Sequence, residues 1–203
     1  MLCAPMQASQ RPKRIAAAPR RVLLFSGHRV DPPGRVVPRF PPEMVVPVSH
    51  RIESLLDRID AGANDLAITQ GAAGGDLLFA HACQQRRVPL RLMLPLDERD
   101  FVNRAVAESA EPERWRAAWR HVRSRLAEAP RRLPRGEALR GNPFERCNEW
   151  MLDQALALGA QQVELLCLWD GAAGDGPGGT AHLVDAARRR GVPVRRIDMR
   201  VLG

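Results

Sequence analysis

Short apolar segments alternate with longer amphipathic segments along most of the chain. Five apolar runs have the length and residue content typical of buried strands, at residues 21–25, 65–69, 90–94, 163–169 and 192–197. Between these runs the apolar residues recur at helical spacing, which predicts helices at residues 50–60, 76–87, 111–129, 145–158 and 180–190. Ser49 is the predicted N-cap of the first helix, because a serine side chain accepts a hydrogen bond from the N–H groups there.

This order of elements favours an α/β fold. Short apolar strands that alternate with helices indicate a parallel sheet covered on both faces. We therefore expect a Rossmann-like, doubly wound and mostly parallel sheet of five strands or slightly more, with helices on both faces.

The same pattern predicts how the chain is organised. The composition of residues 1–20 predicts a disordered basic tail, because this segment is rich in Pro, Ala and Arg and lacks a periodic apolar pattern. Residues 21–203 predict a single domain with a helical insertion at about residues 97–143, of which the Pro- and Arg-rich part after residue 130 is expected to be irregular. Trp115 and Trp119 share one face of the insertion helix, which predicts a core contact or the contact of a homodimer.

Composition and charge narrow the class of protein. With 203 residues, 45% of them hydrophobic, the chain is long enough to bury a core without disulfides and too apolar to be disordered. Its net charge is +8, but the first 21 residues hold five of the 31 basic residues and none of the 23 acidic ones. Because the remaining charge is nearly balanced, we do not expect nucleic acid to be the main ligand.

The sequence also predicts location and cofactor use. No apolar run is long enough to span a bilayer and no secretory signal precedes the first strand, so we expect a cytoplasmic protein that has no membrane partner. The cysteines at positions 3, 83, 147 and 167 lie far apart, which predicts buried thiols in a reducing compartment. The histidines lack metal-ligand spacing, so we expect neither a metal nor a cofactor.

Three of the predicted strands end in loops that contain glycine. Ligands of an open parallel sheet bind beyond the carboxyl ends of its strands. Glycine lets the backbone approach a ligand and a helix N-terminus carries partial positive charge, so such loops cradle phosphates. Alternatively, the glycines only close tight turns. The candidate ligand-binding residues are Ser26, Gly27, His28, Arg29, Gly71, Gly74, Gly75, Asp76, Gly178, Gly179 and Thr180.

Three common motifs are missing from these loops. The spacing from Gly174 to Thr180 has the outline of a P-loop, but that loop needs a lysine before the hydroxyl residue, and the only lysine is Lys13. Residues 71–75 do not form GxGxxG, and the chain has no GxSxG elbow. The sequence therefore excludes a standard NTPase phosphate site and does not support the usual dinucleotide or α/β-hydrolase folds.

Taken in chain order, three segments resemble the SLOG superfamily, which includes the DNA-processing protein A fold and the LOG phosphoribohydrolases. The segments are residues 26–29 (SGHR), 71–76 (GAAGGD) and 177–180 (PGGT). The resemblance covers residues 21–198 and implies a Rossmann-type sheet that binds a nucleotide or a nucleotide-derived small molecule, with the phosphate on the last segment. On this basis we expect Asp76, Arg29 and Arg146 to contact ribose, base or phosphate.

The resemblance also implies an enzymatic alternative. LOG enzymes release a free base from a nucleoside monophosphate with a Glu three residues after the Thr of their glycine motif, and Leu183 stands at that position here. Glu145, Arg146 and Asp170 are therefore the candidate catalytic residues of an N-glycosidase, although Glu145 also suits the first turn of a helix and Asp170 a turn. Binding of single-stranded DNA, as in DNA-processing protein A, is the third alternative.

Overall fold

A parallel sheet forms the centre of the computed structural model, which describes residues 18–138, 140–159, 162–174 and 177–201. Within these residues the sheet has six strands in the order β4-β3-β2-β1-β5-β6, and every neighbouring pair is parallel. The predicted α/β, doubly wound fold is confirmed. The strands are β1 (Arg21–Gly27), β2 (Asp65–Thr69), β3 (Leu90–Leu94), β4 (Arg131–Arg132), β5 (Gln162–Trp169) and β6 (Val194–Asp198).

Seven α-helices in the described residues connect or follow these strands. Short 3-10 helices at Pro42–Met44 and Met199–Val201 and a π-helical turn at Val102–Val106 complete the regular structure. The helices are α1 (Val45–Arg58), α2 (Gly75–Gln85), α3 (Glu98–Phe101), α4 (Pro112–Ser124), α5 (Arg135–Ala138), α6 (Pro143–Leu156) and α7 (Thr180–Arg189).

The central strand β1 separates two hydrophobic cores. Its side chains alternate between the faces of the sheet, and four consecutive apolar residues, Val22 to Phe25, are buried. Leu23 and Phe25 pack into the core that α1, α2 and α4 cover, whereas Val22 and Leu24 pack into the core under α6 and α7. A strand that is apolar on both faces therefore lies at the centre of the sheet, as its sequence predicts.

The strand order reverses direction beside β1. The chain proceeds outward from β1 to β2, β3 and β4, then returns through α5 and α6 to β5 on the other side of β1. The loops that follow β1 and β5 therefore leave the sheet on opposite sides and open a crevice between them, which is where open α/β sheets bind ligands.

The start of β1 is fixed by a buried carboxylate. Asp65 accepts hydrogen bonds from the guanidinium groups of Arg20 and Arg21, at 2.9 Å in each case, and from the N–H of Gly62 at 3.0 Å. Burial opposes ionisation of Asp65, but the two arginines and the Gly62 N–H together outweigh burial and hold the pKa of this carboxyl below its usual value. Arg20 thus belongs to the fold and not to the predicted tail, of which residues 1–17 lie outside the described residues.

Two local predictions were wrong. Helix α1 begins at Val45, so Ser49 lies inside it and donates to the Glu53 carboxylate instead of capping the helix. The sequence misled because Pro47 suggested a loop, whereas proline is tolerated in the first turn of a helix. Residues 131–143, expected to be irregular, contain β4, which extends the sheet beside β3, and α5.

Other expectations concern the insertion, the thiols and the membrane. Trp115 and Trp119 are buried in the core beside α2, so the tryptophan stripe is a core contact, and the homodimer stays a prediction. The thiols at positions 83, 147 and 167 are free and buried, whereas Cys3 lies outside the described residues. None of the described helices is long and apolar enough to cross a membrane.

Candidate functional site

A cleft of about 450 Å³ opens at the carboxyl edge of the sheet, at the crevice beside β1. The wall includes the end of β1 with residues 26–30, the loop at residues 31–39, the end of β2 with α2, residues 144–151 of α6, and the start of α7. Ala105 of the π-helical turn, Trp169 at the end of β5 and Gly174 also line the cleft. The two glycine loops that the sequence singled out, at residues 71–76 and 174–180, therefore reach the same cleft.

The start of α7 faces this cleft. Gly178, Gly179, Thr180 and Ala181 all line it, and among the described residues no side chain caps the first turn of the helix. The Thr180 hydroxyl lies 3.1 Å from that of Ser26 at the end of β1. A helix start carries partial positive charge and N–H groups without an intrahelical acceptor, so this part of the wall suits an anion.

Gly178 packs closely against the first turn of α6. Its φ of +81° is left-handed, and a Cβ atom there would lie 2.4 Å from the Cβ of Phe144 and 2.7 Å from the backbone nitrogen of Glu145. Both the conformation and the close approach exclude larger residues. Residues 175 and 176 of this loop, including the predicted turn residue Asp175, lie outside the described residues.

The amides of the middle loop bond to acceptors within the protein. The carboxylate of Asp76 accepts from the N–H of Gly27 at 3.0 Å, of Gly71 at 3.2 Å and of Ala72 at 3.3 Å. Burial raises the pKa of Asp76 to about 6, and these hydrogen bonds act in the opposite direction. Asp76 therefore occupies, with its own charge, the amide nest that the sequence assigned to a phosphate.

Gly74 and Gly75 serve the close approach of two loops. The N–H of Gly75 donates to the carbonyl of His28 at 3.1 Å, and a Cβ on Gly74 would lie 2.6 Å from the backbone nitrogen of Val30. The sequence predicted that Gly71, Gly74 and Gly75 hold a phosphate. Their geometry indicates a structural role, which is the alternative that the sequence left open.

The polar residues after β1 and β5 form a cluster at the cleft mouth. Arg39 donates two hydrogen bonds of 3.0 Å to the Asp170 carboxylate, and the backbone N–H of Asp170 donates to Nε2 of His28 at 3.1 Å. Burial favours the neutral form of Asp170. The backbone N–H of Ala172 and the side chains of His28 and Arg39 outweigh burial and keep the pKa of Asp170 below its usual value. Asp170 thus ties the loop after β5 to the loop that contains Arg39.

Arg29 connects the cleft wall to the insertion. Its guanidinium donates to the carbonyls of Arg104 at 2.8 Å and Glu108 at 3.2 Å, which lie in and just after the π-helical turn. A π-helical turn leaves carbonyls outside the usual helical pattern, and Arg29 uses one of them. His28 and Arg29 both line the cleft, and each also has a structural contact, while their contact with a ligand stays a prediction.

Glu145 and Arg146 lie beside the cleft and do not line it. Arg146 forms ion pairs with Glu137 and Glu149, which hold its guanidinium on the side of α6 that faces α5. Glu145 lies in the first turn of α6, where its N–H bonds to the Asn142 side chain that caps the helix. None of the three predicted catalytic residues, Glu145, Arg146 and Asp170, is part of the wall of the cleft.

Sequence reasoning missed two polar residues at the bottom of the cleft. Gln70 follows β2 directly, and its Nε2 donates to Oδ1 of Asn148 at 2.9 Å. Nδ2 of Asn148 in turn donates to the carbonyl of Gly178 at 2.8 Å. Asn148 lies between Cys147 and Met151 on the apolar face of α6. A polar residue at a core position is the sequence signal that could have identified it.

The loop at residues 31–39 is the other part of the wall that was missed. Asp31, only 6% exposed, accepts hydrogen bonds from the N–H groups of Arg39 and Phe40, both at 2.9 Å, and the Asp31 N–H donates to the Phe40 carbonyl at 2.9 Å. The ends of the loop are therefore held together, as in an Ω-loop, while Pro32, Arg35 and Arg39 line the cleft. Its many prolines left no periodic pattern from which to place it.

Comparison of the sequence with protein-family models and with curated proteins gave no match. Within the described residues, no three His, Cys, Asp or Glu side chains lie close enough together to hold a metal ion. The class of the protein is therefore defined by its fold and its site: a Rossmann-like domain with a cleft at the point where the strand order reverses. Any more particular function has to be argued from the chemistry of that cleft.

Proposed function

We propose that the protein binds a nucleotide or a nucleotide-derived small molecule in the cleft, with a phosphate at the start of α7. The observation that carries the proposal is that the first turn of α7, which no described side chain caps, opens into a cleft at the point where the strand order reverses. Backbone N–H groups and the helix dipole favour an anion there.

The remaining wall suits the other parts of a nucleotide. A cleft of about 450 Å³ lies within the range of small-molecule sites. Its wall offers aromatic surface from Phe144 and Trp169 for an apolar ring, and the amide of Gln70 for polar groups. The resemblance of residues 26–29, 71–76 and 177–180 to the SLOG superfamily supports the same ligand class.

The two alternatives have less support. An N-glycosidase needs a carboxylate that reaches a water molecule beside the ribose, but Glu145 and Asp170 are outside the wall of the cleft. The carboxylates of Asp31 and Asp76 do line the cleft, but they accept hydrogen bonds from backbone N–H groups. Binding of single-stranded DNA depends on clustered positive charge, and much of the excess charge of this chain is in residues 1–21. We therefore favour a binding or sensor domain over both alternatives.

Calorimetric titration of the full-length chain tests the proposal. The probes are the four common nucleoside 5′-monophosphates, their nucleosides, adenosine diphosphate, cyclic adenosine monophosphate, NAD and ADP-ribose, and chromatography of each mixture detects a released base. We expect at least one phosphorylated probe to bind more tightly than its nucleoside and to remain intact. Release of free base would instead support the hydrolase, and absence of binding by every probe would overturn the proposal.

A further inference from the structure

The orientation of the Gly178–Gly179 peptide is set by a buried side chain of another helix. Asn148 is 1% exposed, and its Nδ2 lies 2.8 Å from the carbonyl oxygen of Gly178 and 3.4 Å from that of Gly179. Both oxygens only accept hydrogen bonds, so the nitrogen of the Asn148 amide has to face them.

The other end of the same amide is also specified. Oδ1 of Asn148 accepts a hydrogen bond of 2.9 Å from Nε2 of Gln70, the first residue after β2. Gln70 therefore prevents the Asn148 amide from turning over, because the reverse orientation would bring two NH₂ groups together and two oxygens together. The chain Gln70–Asn148–Gly178 joins three segments of the cleft through one defined set of donors and acceptors.

A peptide held by its carbonyl has a fixed N–H direction. The C=O and N–H groups of a trans peptide point in opposite directions, so the Gly178 carbonyl that points at Asn148 turns the Gly179 N–H away from Asn148. Gly178 itself has a φ of +81° and lacks a side chain, so its own backbone preferences do not select this orientation. The hydrogen bond from Asn148, together with the close packing of Gly178 against Phe144, holds the peptide in this orientation.

We propose that Asn148 is a positioning residue for anion binding: by holding the Gly178 carbonyl, it presents the Gly179 N–H beside the start of α7 to a phosphate. This inference rests on the proposed function. It assigns a role to a residue that does not itself have to touch the phosphate, and it predicts that Asn148 controls the preference for a phosphorylated over an unphosphorylated ligand.

The test compares Asn148→Leu, which retains the branched shape and removes the donor, with the matched control Gln84→Leu. Gln84 makes the same kind of bond, from its Nε2 to the Val122 carbonyl at 2.9 Å, between α2 and α4 and away from the cleft wall. Affinities are measured for the four nucleoside 5′-monophosphates and their nucleosides. We expect Asn148→Leu to lower the monophosphate affinity about tenfold relative to the nucleoside, and Gln84→Leu to leave that ratio unchanged.

Asn148→Asp provides a second variant and a pH profile. An aspartate in this position donates to the Gly178 carbonyl only when it is protonated, so its monophosphate affinity, relative to wild type at the same pH, should rise as the pH is lowered. His182, whose Nδ1 lies 3.5 Å from Nδ2 of Asn148, is a titratable side chain that faces this position. If wild type binds the monophosphates and both variants bind them with the wild-type ratio, the role of Asn148 is wrong while the proposed function stands. If wild type binds none of the probes, the proposed function fails and this inference fails with it.

Discussion

Ser26 and Thr180 are 154 positions apart in sequence, and their hydroxyl groups lie 3.1 Å apart at the mouth of the crevice. One hydroxyl ends the central strand and the other begins α7, so this contact joins the first and last strand-end loops of the cleft. Both residues also line the cleft. A hydroxyl both donates and accepts, which lets this pair exchange its mutual hydrogen bond for bonds to a phosphate.

The Thr180 hydroxyl should therefore matter more for ligand affinity than for stability. Thr180→Val retains the shape of the side chain and removes one hydrogen bond, which costs about 1 kcal/mol in the free energy of unfolding. We expect a larger loss in monophosphate affinity, because a hydrogen bond to a charged group is stronger. Urea denaturation and calorimetric titration measure the two effects. The control is Ser49→Ala, which removes a hydroxyl that bonds to Glu53 on α1 and should leave monophosphate affinity unchanged.

Gly178 should be intolerant of any side chain. Gly178→Ala combines a left-handed φ of +81° with a Cβ that lies 2.4 Å from the Cβ of Phe144 and close to the Glu145 backbone, which cannot move aside easily. We expect a loss of about 3 kcal/mol in the free energy of unfolding.

Gly191 provides the matched control for Gly178. It also has a left-handed φ, of +68°, but apart from its own residue and its chain neighbours no described atom lies within 4 Å of the position of its Cβ. Gly191→Ala should therefore cost only the conformational penalty, about 1 kcal/mol. Chemical denaturation of both variants measures the difference, and equal losses would show that the approach of Gly178 to α6 is not tight.

The pair of arginines on Asp65 should make stability depend on acidic pH. The folded-state pKa of Asp65 lies below its unfolded value, so its ion pairs stabilise the fold above about pH 4 and are lost as the pH falls through the folded pKa. Asp65→Asn leaves Arg20 and Arg21 without this charge, and we expect a loss of about 3 kcal/mol at pH 7. The loss should shrink towards pH 2, as urea denaturation at several pH values would show. A loss that does not change with pH would contradict this account.

Local sequence patterns were sufficient to predict the layers of the fold and the place of the cleft. The run from Val22 to Phe25 is apolar on both faces, which is the property of a central parallel strand. The glycine segments at 71–76 and 177–180 follow strands, and the carboxyl ends of parallel strands share one edge of the sheet, so both loops had to reach the same rim.

The partners of individual polar groups were not accessible to the same reasoning. The amides of Gly71 and Ala72 bond to Asp76, four or five residues ahead, because α2 turns that carboxylate back over the loop, and residue spacing offers no reason to choose this acceptor over a phosphate. Arg146 forms an ion pair with Glu137 because α5 forms within a segment whose sequence predicts irregular structure. Such contacts depend on side-chain direction in three dimensions, which a linear pattern does not record.

Asp76 should shift the stability of the protein in the opposite sense to Asp65. Burial raises its pKa to about 6 in the folded state, above an unfolded value of about 4. Between these values the folded state binds more protons than the unfolded state, so the contribution of Asp76 to stability falls as the pH rises from 4 to 6 and is constant above that range. Two pKa units correspond to about 3 kcal/mol, and Asp76→Asn, which does not titrate, should lack this dependence.

The measurement is the free energy of unfolding of wild type and Asp76→Asn at pH 4.5 and pH 7. His81, whose pKa burial and His121 lower, acts in the opposite direction, but it does so in both proteins, so their difference isolates Asp76. An asparagine in place of Asp76 offers only one acceptor oxygen to the amides of Gly27, Gly71 and Ala72, so the variant should be less stable than wild type at every pH. The difference in the free energy of unfolding between the two proteins should be smaller at pH 7 than at pH 4.5. An NMR titration of the Asp76 carboxyl carbon in wild type gives the pKa directly, and a value near 4 would show that the three amides fully offset burial.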